Sequence, residues 1–226
     1  MSNNRAFTLV EFIFILVVIG ILAAILTPSS RGSRLREAAD QVASHIRYTQ
    51  HLAMIDDRFD PNNSEWFKER WQIQFMDVTV VKGDTKRYWS YVIYSDTSAG
   101  HSGDPQWYEI ARNPMDLSKR LTGGTSAIAA GDLEATPQMN LGKEYGIVDV
   151  AFSSACSNGV PPKNSKRLAF DYVGRPLKGD ISTLKGPYDT THMMYKRCNI
   201  MLTDNSGKSI NITIEPETGF VQVVPF

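Results

Sequence analysis

Arg5-Ala6-Phe7-Thr8-Leu9-Val10-Glu11 opens the chain's one long apolar run, and from Phe12 to Leu26 no residue carries a charge. Residues 7–30, wound as a helix at about 1.5 Å per residue, reach roughly 36 Å, enough for a hydrocarbon core of about 30 Å. The segment therefore reads as a transmembrane helix. Glu11 is the anomaly in it, because a carboxylate at the centre of a membrane helix costs about 2.5–3.5 kcal/mol and so implies a partner or a function. A secretory signal places its small-residue cleavage site after the apolar core. Here the small residue, Ala6, precedes the core, so cleavage between Ala6 and Phe7 removes only residues 1–6 and leaves the helix on the mature chain. The new amino group on Phe7 then lies four residues from Glu11.

Ala6-Phe7-Thr8-Leu9-Val10-Glu11, with Gly20 and Pro28 further along the apolar helix, resembles the signature of the type IV prepilins and type II secretion pseudopilins. The resemblance implies a prepilin peptidase that cuts after Ala6, N-methylation of Phe7, and assembly through Glu11 with other pilin or pseudopilin subunits. It also implies helix-weakening roles for Gly20 and Pro28. Ala6 departs from the family's usual Gly and implies slower processing. Thr8 and Glu11 sit in the first helical turn, where the positive end of the helix dipole favours them by about 0.3–1 kcal/mol.

The chain has 226 residues, enough for one sizeable domain beyond the helix. Lys and Arg total 24 against 24 Asp and Glu, and loss of Arg5 with the leader leaves 23 basic residues. Such balance argues against broad electrostatic binding of nucleic acid. Positive charge at the start holds that end in the cytoplasm and sends everything after Pro28 outward. The expected location is the inner membrane, crossed once, with a periplasmic head that later enters a pilus or pseudopilus filament. Cys156 and Cys198 lie in the exported part, where a disulfide can persist; the alternative is two buried free thiols. A bridge would close a loop worth about 4 kcal/mol by chain entropy.

Beyond a polar break at Ser29–Ser33, Leu35, Ala39, Val42, Ile46, Thr49 and Ala53 recur at spacings of three and four. Residues 31–55 thus form an amphipathic helix, with Arg34, Arg36, Asp40, Arg47 and Gln50 on its polar face. Residues 56–226 form a β-rich head. Asp56 to Ser64 is turn-rich. Trp71, Ile73 and Phe75 alternate with Gln72 and Gln74, and a hairpin turns at Lys82-Gly83-Asp84-Thr85 to return through Trp89–Tyr94. The region of Gly123-Gly124, Ala129-Ala130-Gly131 and Pro137 reads as irregular with short strands. Further strands are expected at Ile147–Phe152, Arg167–Tyr172, Asn199–Leu202, Ile210–Ile214 and Phe220–Val224, with a turn at Asp204-Asn205-Ser206-Gly207. The fold class is α+β: a long N-terminal helix packed on an antiparallel sheet. Leu168–Pro176, Cys198–Thr203, Ile210–Ile214 and Thr218–Val221 resemble the heads of the H-type pseudopilins and T-type minor pilins.

Candidates for chemistry are few. His45 and His51 lie six apart, off the i, i+4 spacing of a helical metal pair, and His101 with Asp104 lacks a second histidine. The chain carries no hydrolase elbow, phosphate loop, H-E-x-x-H or C-x-x-C motif, and neither Asp77–Asp84 nor Asp204–Gly207 follows an EF-hand pattern. No enzyme activity, cofactor or metal is expected. DNA is the rival partner, since the family includes DNA-uptake pili, some of whose minor subunits hold DNA with a basic C-terminal tail. Residues 215–226 contain no Lys or Arg. Lys163, Lys166, Arg167, Lys196 and Arg197 form a candidate basic patch around the two cysteines, against which stands ordinary strand-edge charge. The expected function is a minor pilin or pseudopilin subunit; the alternatives are a major pilin, a DNA-binding minor pilin of a competence pilus, or a membrane-anchored enzyme.

Overall fold

The computed structural model describes residues 9–26, 30–79, 85–157 and 165–224. The leader, Ala6, Phe7, Pro28 and Lys163 lie outside these residues. Two compact units divide at Ser33 and Arg34.

The first unit holds helix α1, Leu9–Leu26. It is apolar on every side apart from Glu11, and each side chain from Leu9 to Leu22 is exposed in the isolated chain. Among the described residues no helix is long and apolar enough to cross a membrane. The 18 residues of α1 reach about 27 Å, just short of a hydrocarbon core of about 30 Å.

Helix α2 runs Ser30–Ile55, so Ser30 to Ser33 are helical rather than a break. From Arg34 onward it belongs to the second unit, where Leu35, Ala38, Ala39, Val42, Ala43, Ile46, Thr49 and Ala53 are buried along one stripe. The spacing in the sequence predicts that face. Ala at four of these positions lets the backbone approach the strands closely. The polar flank is engaged too: Arg47 Nη2 donates to the Val221 carbonyl at 2.8 Å, and Gln50 Nε2 donates to the carbonyls of Gly174 and Thr218, both at 2.8 Å. Gly219 is required beside Gln50, because its φ is +65° and a Cβ there would lie 2.5 Å from Gln50 Nε2.

Strand β1, Trp71–Thr79, pairs antiparallel with β2, Arg87–Ser95, in an unbroken register from Trp71 opposite Ser95 to Thr79 opposite Arg87. The expected turn at 82–84 lies outside the described residues. A two-residue strand β3, Arg112–Asn113, folds back on β4, Asp116–Arg120. Residues 121–136 contribute only a single bridge, Thr122 to Val92. Helix α3, Leu141–Tyr145, starts at Asn140, whose side chain accepts from Lys143 N, and stops at left-handed Gly146. Then follow β5, Ile147–Phe152, β6, Ser165–Phe170, β7, Pro176–Lys178, β8, Cys198–Asp204, β9, Ser209–Ile214, and β10, Val221–Val224.

Two four-stranded sheets result, ordered β2-β1-β6-β7 and β10-β9-β8-β5, every pairing antiparallel. The main core gathers the buried stripe of α2, Ile73, Phe75, Tyr91, Ile93, Leu168 and Phe170 of the first sheet, and Ile200, Leu202, Ile210, Ile212 and Ile214 of the second. The second sheet keeps one wetter face, so β8 and β9 alternate between buried and more exposed residues, whereas β5, irregular between Ile147 and Asp149, does not. The first does not. Gln72 and Gln74 are 1% and 2% exposed, because loops carrying Ile110, Ile128, Ala135, Ile181 and Leu184 cover the face opposite α2. The Asp204–Gly207 turn forms as expected, Asp204 Oδ1 accepting from the backbone of Ser206 and Lys208 at 2.8 and 3.0 Å.

Candidate functional site

Glu11 is the third residue of α1 and lies in its first turn, exposed, with Leu9, Val10, Phe12 and Phe14 exposed around it. A helix apolar on all sides has no face suited to water. Gly20 sits inside α1, and a Cβ placed there meets nothing within 4 Å. Nothing among the described residues packs where that Cβ would sit, and a glycine inside a helix costs about 1 kcal/mol relative to Ala.

Cys156 and Cys198 are joined, S–S 1.97 Å with Cα atoms 5.2 Å apart. Both are buried. The bridge ties the turn after β5 to the first residue of β8, where Ser153 N donates to the Asn199 carbonyl at 2.9 Å and Ser153 Oγ accepts from Asn199 N at 3.0 Å.

The basic residues near the bridge are spent separately. Lys166 and Arg167 are neighbours in β6, so they point to opposite faces of the sheet. Lys166 donates to the Val150 carbonyl and lies over the Trp89 ring, its Nζ 4.7 Å from the centroid; burial holds its pKa below the usual lysine value, with Asp149 opposing. Arg167 is 6% exposed and pairs with Asp180 at 2.6 Å and Asp104 at 3.8 Å. Arg197 pairs with Glu215 at 2.6 Å. Lys196 is exposed. Of the described members of the patch, Lys196 alone has its charge turned outward without an ion pair among the described residues.

The histidines are also apart. His45 Nδ1 accepts from the Tyr91 hydroxyl at 2.7 Å, and that hydroxyl accepts from Gln41 Nε2 at 2.9 Å. Gln41 Oε1 in turn accepts from the Tyr145 hydroxyl at 2.6 Å. Burial lowers the His45 pKa to about 4, and it raises that of Tyr91. His51 is exposed. His101 is buried, its Nδ1 2.9 Å from the Asp96 carbonyl. Among the described residues no group of three His, Cys, Asp or Glu is placed to hold a metal ion.

The sequence gives no warning of a groove walled by Trp66, Arg70, Tyr172, Arg175, Tyr188 and Asp189. Its parts come from three distant segments, and the single local signal is Arg70 wedged between Lys68-Glu69 and the first buried strand. The polar chain Gln41, His45, Tyr91 and Tyr145 is likewise assembled from α2, β2 and α3 and has no local signature.

No curated protein and no solved structure matches the chain. Residues 1–27 match the family of the prokaryotic N-terminal methylation motif, the stretch that holds Ala6, Phe7, Glu11 and Gly20. With that motif leading into an apolar α1 and a head of α2 on antiparallel sheets, the chain has the N-terminus of a type IV prepilin or pseudopilin, a substrate of prepilin peptidase that assembles with other pilin subunits.

Proposed function

We propose that the chain is a minor pilin or pseudopilin: a structural, non-enzymatic subunit stored across the inner membrane with its head in the periplasm, then drawn into a helical filament. The observation that carries this reading is the position of Glu11 in the first turn of an otherwise apolar helix inside the methylation motif. Cleavage after Ala6 creates the Phe7 amine, and methylation keeps it cationic. In a staggered bundle the amine of one subunit meets the Glu11 carboxylate of the next, an attraction that grows as lipid and protein displace water. The apolar side chains from Leu9 to Leu22 exchange lipid contacts for one another, so the ion pair sets register while packing supplies area. The helix weakening at Gly20 gives the segment room to adjust as it leaves the bilayer.

Replacing Glu11 tests the reading. Glu11→Ala leaves membrane insertion and cleavage after Ala6 intact, the latter read as the intact mass of the processed chain with one N-methyl group on Phe7, yet the variant is missing from sheared filaments. Normal incorporation of Glu11→Ala beside its neighbours would sink the proposed role. The ion pairs of Arg167 and Arg197 and the packing of Lys166 disfavour the DNA-binding alternative.

A further inference from the structure

The turn between β6 and β7, the 3₁₀ turn at Trp66–Lys68 and the 187–193 loop enclose a groove of about 230 Å³. Leu177 and Met193 make part of the lining apolar. Its rim is aromatic, with Tyr172 51% and Tyr188 91% exposed.

Arg70, on the inner wall, is 9% exposed. Its Nη2 donates to the Pro187 carbonyl at 3.1 Å and its guanidinium lies 5.6 Å from the Trp66 ring centroid. Its Nε is buried without a hydrogen-bond partner, and Arg70 makes no ion pair among the described residues. Burial disfavours its charge, and Asp171 and Asp57, acting across space, offset this only in part. The carboxylates of the groove are committed elsewhere. Asp171 Oδ2 accepts from Arg175 Nε at 2.7 Å, while its Oδ1 accepts from the backbone of Val173 and Arg175. Asp189 Oδ1 accepts from Thr191 N and Oγ1, and its Oδ2 accepts from Lys185 N at 3.1 Å. Arg70 and Arg175 balance Asp171 and Asp189, so the charged side chains of the groove sum to zero; Arg70 is left with no carboxylate on its N–H groups among the described residues and can take a monoanion, while Asp171 and Asp189 repel anything of higher charge. The groove is smaller than the usual range of about 300–1,000 Å³ for drug-sized ligands, so it suits a single ring or one residue.

We propose that this groove binds a small monocarboxylate with a flat or apolar body, the carboxylate held by Arg70 at depth and the body packed between Tyr172 and Tyr188. Arginine is the apt residue, since its planar fork matches the two carboxylate oxygens and its face stacks on Trp66. Every residue lining it belongs to the second compact unit.

Titration calorimetry on the full chain in detergent micelles tests this with N-acetyl-L-phenylalanine as probe and its carboxamide as control. The amide enters micelles at least as readily, so a preference for the acid reports the carboxylate. The acid binds at least about tenfold more tightly than the amide, the equivalent of one charged hydrogen bond. Arg70→Gln removes that preference. Because Arg70 also supports the Pro187 loop, Tyr188→Ala provides a second variant: an exposed side chain is lost, the circular dichroism is unchanged, and acid binding weakens by about threefold or more. Equal binding of acid and amide, no binding of the acid at about 10 mM, tighter binding of inorganic phosphate than of the acid, or a Tyr188→Ala chain that binds as the parent does would each overturn the assignment.

Discussion

Acid should unfold the head partly through one histidine. His45 has its pKa lowered from 6.5 to about 4 by burial, and its Nδ1 already accepts from Tyr91. Protonating Nδ1 would face its new N–H toward a hydroxyl that receives Gln41 Nε2 on the same oxygen. The folded chain therefore binds fewer protons than the unfolded chain between pH 6.5 and 4. The resulting penalty is absent above pH 6.5, grows as pH falls through that window, and levels off below the folded pKa. At 1.36 kcal/mol per unit the full penalty is about 3 kcal/mol, and about 2.5 kcal/mol of it is present by pH 4.5. Carboxylates add their own acid dependence, so the measurement is a difference. Urea unfolding of residues 34–226, which form a compact unit, is followed by circular dichroism from pH 7.5 to 4.5 for the parent and for His45→Gln. Glutamine can take the Tyr91 hydrogen bond and does not titrate. The parent should lose about 2.5 kcal/mol more than the variant over this range. Parallel losses in the two proteins would show that His45 is not the titrating group and refute the reasoning.

Two further outcomes follow from the head. Reducing the Cys156–Cys198 bridge, or replacing both residues by Ser, should cost about 4 kcal/mol of stability, read as a fall in the urea midpoint; an unchanged midpoint would mean that the loop is already ordered without it. Gly123→Ala should cost at least about 1–3 kcal/mol by overpacking, because its Cβ would lie 2.2 Å from the Met139 carbonyl carbon; a thermal midpoint equal to the parent's would contradict that close approach.

Helix α2 and strands β8 and β9 are legible because each has one face buried and one wetter, so hydrophobic spacing reports the period directly. Strand β1 obeys a different rule. The alternation of Trp71, Ile73 and Phe75 with Gln72 and Gln74 is the pattern of a strand with one wet face, yet both glutamines are buried, and Gln74 Oε1 accepts from the Tyr94 hydroxyl at 2.9 Å. Burial with a hydrogen-bond partner leaves the same letters in the sequence as exposure. Helix α3 was missed for its length, five residues, too short for any period to declare itself. For the basic patch, spacing alone decides nothing, since nearness along β6 puts Lys166 and Arg167 on opposite sides of the sheet. Glu11 stands out in the sequence because its oddity is local, a charge within an apolar run. The Arg70 groove is a product of tertiary folding alone.

The Cys156–Cys198 bridge also decides how the head would bear a mechanical load. Tension applied between the two ends of the chain passes across the sulfurs from the end of β5 to the start of β8. Residues 157–197, which include β6 and β7, are bypassed. Were the rest of the head pulled out, those residues would hold back about 140 Å of extension. The first sheet thus carries a segment that force along the backbone cannot unravel until the bridge is reduced, so extensibility under pull would depend on the redox state of the surroundings.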